Sequence, residues 1–192
     1  MKKLLLFALS VLVLTGVTAQ TSTWTIDKVH SKIGFSVSHM VVSETEGVFK
    51  DYTATVVSKS PDFNGAEVTF TAKVASIDTD NEKRDNHLRS PDFFDAEKYP
   101  EITFKGNLVK EGNKYKLKGD FTMKGVTKKV EFDVVYGGTI DTGRGVKAGF
   151  KVTGVINRQD YGVSWANKLA SGEMVVGDLV TLNIKVELDK QA

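Results

Sequence analysis

The sequence predicts an all-β fold: a closed antiparallel barrel of about eight strands with a short helix in its central connection. Three observations predict it. Apolar and polar residues alternate with a period of two through most of the chain. Turn-forming groups separate the alternating runs at short intervals, and one central segment replaces the alternation with a capped helical pattern.

The first element is a leader. Lys2-Lys3 precede an apolar run from Leu4 to Leu14, and small residues end at Val17-Thr18-Ala19. This pattern predicts a secretory signal peptide over 1–19, cleaved before Gln20, because the run is too short for a permanent transmembrane helix. An uncleaved anchor is the alternative. No Cys follows the run, so lipoprotein acylation is excluded. Removing 19 of 192 residues leaves 173, a size for one domain over 20–192. Without Lys2 and Lys3 the 26 basic residues become 24, equal to the 24 acidic ones. Zero net charge gives nucleic acid or an anionic membrane no bulk electrostatic hold. The Cys count of 0 rules out both disulfides and thiol chemistry in a periplasmic or secreted protein.

The strands follow in order. Ile33, Phe35 and Val37 alternate with polar neighbours, as do Val68, Phe70, Ala72 and Val74. Ile102 and Phe104 come next, then Tyr115, Leu117, Gly119, Phe121 and Met123. Val130, Phe132, Val134 and Tyr136 continue the register, followed by Phe150, Val152, Gly154 and Ile156. The last run, Val180, Leu182, Ile184, Val186 and Leu188, is the cleanest. Each strand has one dry face, so the sheet is antiparallel and not a covered parallel one. Phe63-Asn64-Gly65, Glu111-Gly112-Asn113, Lys124-Gly125-Val126 and Asp141-Thr142-Gly143 mark hairpins. Closure turns every dry face inward and leaves no edge; a two-sheet sandwich is the alternative.

The central connection, Asp80 to Tyr99, holds a helix over Asn81–Leu88 capped by Asp80 or Asn81 and stopped by Ser90-Pro91-Asp92. Phe93-Phe94 then need cover, which one end of the barrel can give. A second insertion, Gln159 to Asp178, brings Tyr161, Trp165 and Met174 to one rim or the other.

Few residues pattern as chemistry. His30 and His39 differ by an odd number along one extended segment and face opposite sides, and His87 lies in the helical connection, so no metal site is expected. Arg84 and His87 share a helical face, with Asp85 turned away. A catalytic role for the three is weighed against a structural one, in which Arg84 and Asp85 pin the connection. No nucleophile elbow and no phosphate-cradling glycine loop occurs. Lysines and aromatics lie on opposite faces, which removes a nucleic-acid stacking surface.

Several segments carry a resemblance. His30-Ser31-Lys32-Ile33-Gly34-Phe35-Ser36-Val37-Ser38-His39-Met40 and Gly47-Val48-Phe49-Lys50-Asp51-Tyr52 resemble the opening of the YceI-like family of periplasmic polyisoprenoid-binding proteins. Arg84-Asp85-Asn86-His87-Leu88-Arg89-Ser90-Pro91-Asp92-Phe93-Phe94-Asp95 with Tyr99-Pro100-Glu101-Ile102-Thr103-Phe104 is similar to its central motif. Gly119-Asp120-Phe121-Thr122-Met123-Lys124-Gly125-Val126-Thr127 and Asn157-Arg158-Gln159-Asp160-Tyr161-Gly162 resemble later ones. Tyr52 stands where the family often has Phe, and Lys105 where a smaller polar residue is common; Tyr52 is expected to alter the cavity's shape.

The resemblance implies a lipocalin-like extended barrel whose tunnel holds a polyprenyl chain, an isoprenoid quinone or a similar lipid as ligand, without a catalytic cofactor. The wall is then drawn from the dry faces: Ile33, Phe35, Val37, Phe49, Val68, Phe70, Phe94, Ile102, Phe104, Phe121, Phe132, Phe150 and Trp165. Arg84, His87 or Arg89 is expected to contact the ligand's polar head at the rim. The same side chains could instead fill the barrel by packing on one another. Three functions therefore stand: a lipid carrier or store, an isoprenoid-modifying enzyme with Arg84, Asp85 and His87 at the tunnel mouth, and an envelope interaction protein with a solid core. A homodimer stays open.

Overall fold

The computed structural model describes residues 20–192, so the expected leader lies outside the described residues. Eleven strands occur among them: β1 (Ser22–Ile26), β2 (Lys32–His39), β3 (Ser43–Phe49), β4 (Tyr52–Ser58), β5 (Glu67–Lys73), β6 (Ile77–Asp78), β7 (Glu101–Glu111), β8 (Lys114–Met123), β9 (Val126–Asp141), β10 (Val146–Asn157) and β11 (Val176–Lys190). One helix, α1 (Glu82–Arg89), lies between β6 and β7.

These reduce to eight barrel strands, because the first six are halves of three. β1 and β2 both pair with β11; on their other side β1 pairs with β4 and β2 with β3. β4 in turn pairs with β5, and β3 with β6. β7 to β11 follow as a simple meander, and all pairings are antiparallel. The ring closes where β11 meets the first strand, so the predicted closed eight-stranded barrel is what forms, and the sandwich is not.

Local chemistry sets the breaks. Between β1 and β2, Asp27 Oδ1 accepts from the backbone N–H groups of Val29 and His30, a side-chain turn that lifts the chain off the ladder. Ser31 repairs the gap: its hydroxyl donates to the Glu187 carbonyl and accepts from the Glu187 N–H at 2.9 Å. Between β8 and β9, Lys124 and Gly125 both take positive φ, as a two-residue hairpin turn requires.

The two ends differ. At the floor, the β4–β5 loop carries Phe63 inward, where its ring meets Trp24 at 5.0 Å, Phe150 at 5.1 Å and Tyr136 at 5.6 Å. Phe63 is almost fully buried at positive φ, a backbone a bulky residue avoids unless packing holds it there. At the opposite end, α1 is capped by Asn81, whose Oδ1 accepts from the Arg84 N–H at 2.9 Å, and it stops at Ser90. Asp85 is buried and accepts from the Thr79 N–H and hydroxyl. Arg84 donates from Nε to the Thr79 hydroxyl and from Nη2 to the Thr79 carbonyl. The helix is thereby pinned to the chain just after β6.

Phe63→Ala should remove the floor's central ring and lower unfolding free energy by about 3–5 kcal/mol. Urea denaturation followed by Trp24 fluorescence measures it. A loss below ~1 kcal/mol would mean that the floor does not depend on this ring.

Candidate functional site

The inner faces of the barrel strands enclose two apolar spaces that share a waist. The lower, about 110 Å³, is bordered by Val68, Phe104, Phe132 and Phe150. The upper, about 110 Å³, is bordered by Phe35, Val37, Phe49, Phe94 and Ile102. Ile33, Phe70 and Phe121 border both, with Leu182 and Ile184, so the two spaces adjoin inside the barrel. Every side chain around the lower section is apolar.

A barrel this size can be filled by its own aromatics, and here glycine prevents it. The dry-face register places glycine where neighbouring rings need room. A Cβ on Gly154 would overlap the Phe132 ring and one on Gly47 the Phe35 ring, while one on Gly106 or Gly119 would strike the facing backbone first and then the Phe104 ring. The Phe132 and Phe35 rings therefore occupy the space left by a missing side chain. The bore stays open although its wall is aromatic.

Above the upper section sits an antechamber of about 180 Å³. It shares Phe35, Val37, Leu88, Phe93 and Val176 with the tunnel and adds Arg84, His87, His39, Thr45 and Thr79. The path thus runs from a polar-edged vestibule through an apolar bore to the aromatic floor. Trp165 stands in this vestibule and not in the tunnel wall: it stacks on Phe93 at 5.2 Å and meets the His87 ring edge at 5.6 Å. His87 Nε2 lies 3.0 Å from Asp92 Oδ2. Arg84 Nη1 has no hydrogen-bond partner among the described residues, since Thr79 takes only Nε and Nη2.

Asp85 belongs to neither space. Its carboxylate is committed to Thr79, so the trio Arg84, Asp85 and His87 does not converge on one point. Tyr52 is also outside the tunnel; its hydroxyl donates to the Ser31 carbonyl at 2.9 Å and it borders an outer groove. The expected effect of Tyr52 on cavity shape is therefore corrected.

Arg158 is the functional-site residue that sequence reasoning missed. It borders the upper section yet is only 3 % exposed. Its guanidinium donates to the carbonyls of Gly177, Val163, Trp165 and Val176 and to the Asp178 carboxylate. Burial lowers its pKa, while Asp178 opposes that shift. Arg158 thus clamps the 159–178 insertion across the mouth. The signal was present: two residues past Ile156, it continues the dry face of β10.

One titratable cluster lies elsewhere. Asp27, His30 and Glu187 are close enough to surround a cation. Lys147 Nζ fills that role, 2.9 Å from Asp27, 2.8 Å from Glu187 and 2.8 Å from Asp189. Hydrogen bonds from His30 and then Lys147 hold the Asp27 carboxyl far below the usual range, and Asp27 raises the His30 imidazole. His39 is at the opposite end, in the vestibule, so the two histidines share no site.

A family model described as the YceI-like domain matches residues 24–188. A UPF0312 protein of Staphylococcus epidermidis is 38% identical over 164 residues, covering 84% of this chain and 94% of the relative. The crystal structure of a Campylobacter jejuni YceI protein superposes with a TM-score of 0.69 at 34% identity, covering 87% of this chain and 97% of the other. A polyisoprenoid-binding domain from Saccharophagus degradans has the same fold, with a TM-score of 0.63 at 12% identity over 88% of this chain and 98% of its own.

Gly154→Ala tests the glycine shelf. The added methyl should drive the Phe132 ring into the bore and reduce uptake of an apolar fluorescent probe several-fold, with the circular dichroism spectrum unchanged. Unaltered uptake in the folded variant would mean that Gly154 does not set the bore.

Proposed function

The chain belongs to the YceI-like family, and from that premise we propose that it binds a long-chain isoprenoid lipid in the tunnel and carries or stores it without chemical change. The observation that carries this reading is the pair of adjoining apolar spaces inside the barrel, with glycine beneath several of their rings and a polar-edged vestibule next to them. The polyisoprenoid-binding domain with the same fold supports the ligand class. Polyprenyl phosphate, an isoprenoid quinone or a comparable amphiphile fits the gradient from polar mouth to dry floor.

Magnitudes favour a carrier. Moving one isoprene unit from water to an apolar site is worth about 3–4 kcal/mol at roughly 0.8 kcal/mol per CH₂. Several units summed in this way would pass the affinity limit near about −20 kcal/mol. Such a lipid starts in a membrane, where it is already dry, so transfer into the bore is close to neutral. What the protein adds is shape, length selection and a head-group contact at Arg84 and His87. Catalysis instead demands groups that bind a transition state better than the substrate. Asp85 bonds Thr79 through Oδ1 and does not border the vestibule, which favours binding over the modifying-enzyme alternative.

The leader pattern in the sequence supports a periplasmic or extracellular setting for this binding. No helix among the described residues is long and apolar enough to cross a membrane.

Organic extracts of natively purified protein should contain a long-chain isoprenoid by mass spectrometry, and Phe121→Asp should abolish it by putting a charge at the waist. Unchanged lipid in a folded Phe121→Asp protein would remove that residue from the binding surface. Arg84→Ala should weaken pyrophosphate-bearing lipids more than quinones; equal losses would dismiss the head-group role.

A further inference from the structure

The hairpin between β2 and β3 turns through Met40, Val41 and Val42, three consecutive apolar residues that are 41%, 62% and 87% exposed. Its chemistry is unlike that of the other tips. The β7–β8, β8–β9 and β9–β10 turns are built on Gly112, Gly125 and Gly143 at positive φ, and none carries three consecutive exposed apolar residues. Here Met40 and Val41 themselves hold φ of 51° and 67°, a backbone that a β-branched residue adopts only at a cost. Local turn chemistry favours Gly or Asn at such positions. Apolar surface is therefore presented to solvent against both hydration and backbone preference.

The tip is fixed to the mouth of the tunnel. The Met40 N–H donates to the Val175 carbonyl at 2.9 Å, and His39 pairs with Val176. His39, Val175 and Val176 all border the vestibule. Leu179, 61% exposed, adds apolar surface in the bulge where β11 passes β2.

We infer that this tip inserts into the surface of a neutral phospholipid bilayer and sets the vestibule against it. The inference rests on the carrier reading, because a cargo that passes between bilayer and bore without crossing water requires the mouth, and not the floor, to touch the membrane. Charge decides the type of surface. From Ile33 to Phe49 there is no Lys or Arg, and Glu44 and Glu46 follow the tip. Anionic lipid would repel this hairpin, so apolar insertion is what holds it.

The chain's lack of cysteine allows a single fluorophore to be placed at will. Val42→Cys and, at the floor end, Ile140→Cys are labelled with a polarity-sensitive dye and mixed with phosphatidylcholine vesicles. The dye at position 42 should shift to the blue and be quenched by nitroxide lipids, less so with phosphatidylglycerol added, while the dye at 140 stays in water. Val41→Asp should lower vesicle binding by about tenfold, with the co-purified lipid retained. A dye at 42 that stays in water, equal shifts at 42 and 140, or a shift that follows protein concentration without vesicles would each overturn the inference, the last in favour of a second copy. Lipid extraction keeps the two readings apart. Insertion in a protein that yields no lipid retains the docking and removes the carrier, and a water-exposed tip on a lipid-loaded protein does the reverse.

Discussion

Closure of the ring along β11 is the contact from which the other features follow. Every barrel strand carries one dry face, and such faces are removed from water together only if the sheet meets itself. β11 is long enough to pair with β2 through its first half and with β1 through its last residues, so it spans the break in the first strand. Ser31 and the Asp27–Lys147–Glu187 network hold that seam with polar groups outside the bore. The interior is left to apolar side chains.

An enclosed apolar interior is by default a solid one, and what distinguishes this barrel is the placement of its glycines. Gly47 pairs directly with Phe35, and Gly106 with Gly119 beside Phe104. Glycine within a strand weakens it, since it adds backbone entropy and no packing. Here that loss is exchanged for room along the axis. The ends then act differently: Phe63 and its aromatic neighbours close the floor, while α1 and the insertion clamped by Arg158 leave a vestibule whose edge is polar.

Much of this was legible in the residues. Period-two alternation gives strand number, pairing sense and inward faces, because those depend on the pleat alone. The helix and its stop follow from local capping, although of the two candidate caps Asn81 serves and Asp80 takes a positive φ instead. Features that depend on distant partners were not legible. Trp165 was expected in the tunnel wall, yet only the Arg158 clamp decides that it stacks on Phe93 in the vestibule. Tyr52 finds the Ser31 carbonyl across the strand break, which no periodicity announces. The width of the bore needs the cross-strand register of glycine and ring, so a filled and an open barrel share one sequence pattern.

The central claim is that a hydrocarbon chain lies along the bore with its head in the vestibule. Paramagnetic broadening of methyl resonances by bound nitroxide-labelled lipid measures this directly. A nitroxide at the chain terminus should broaden Leu108 and Val134 near the floor, and one beside the head group Val37 and Leu88 at the mouth. Broadening confined to outward methyls such as Val155, or the same set from both labels, would contradict it.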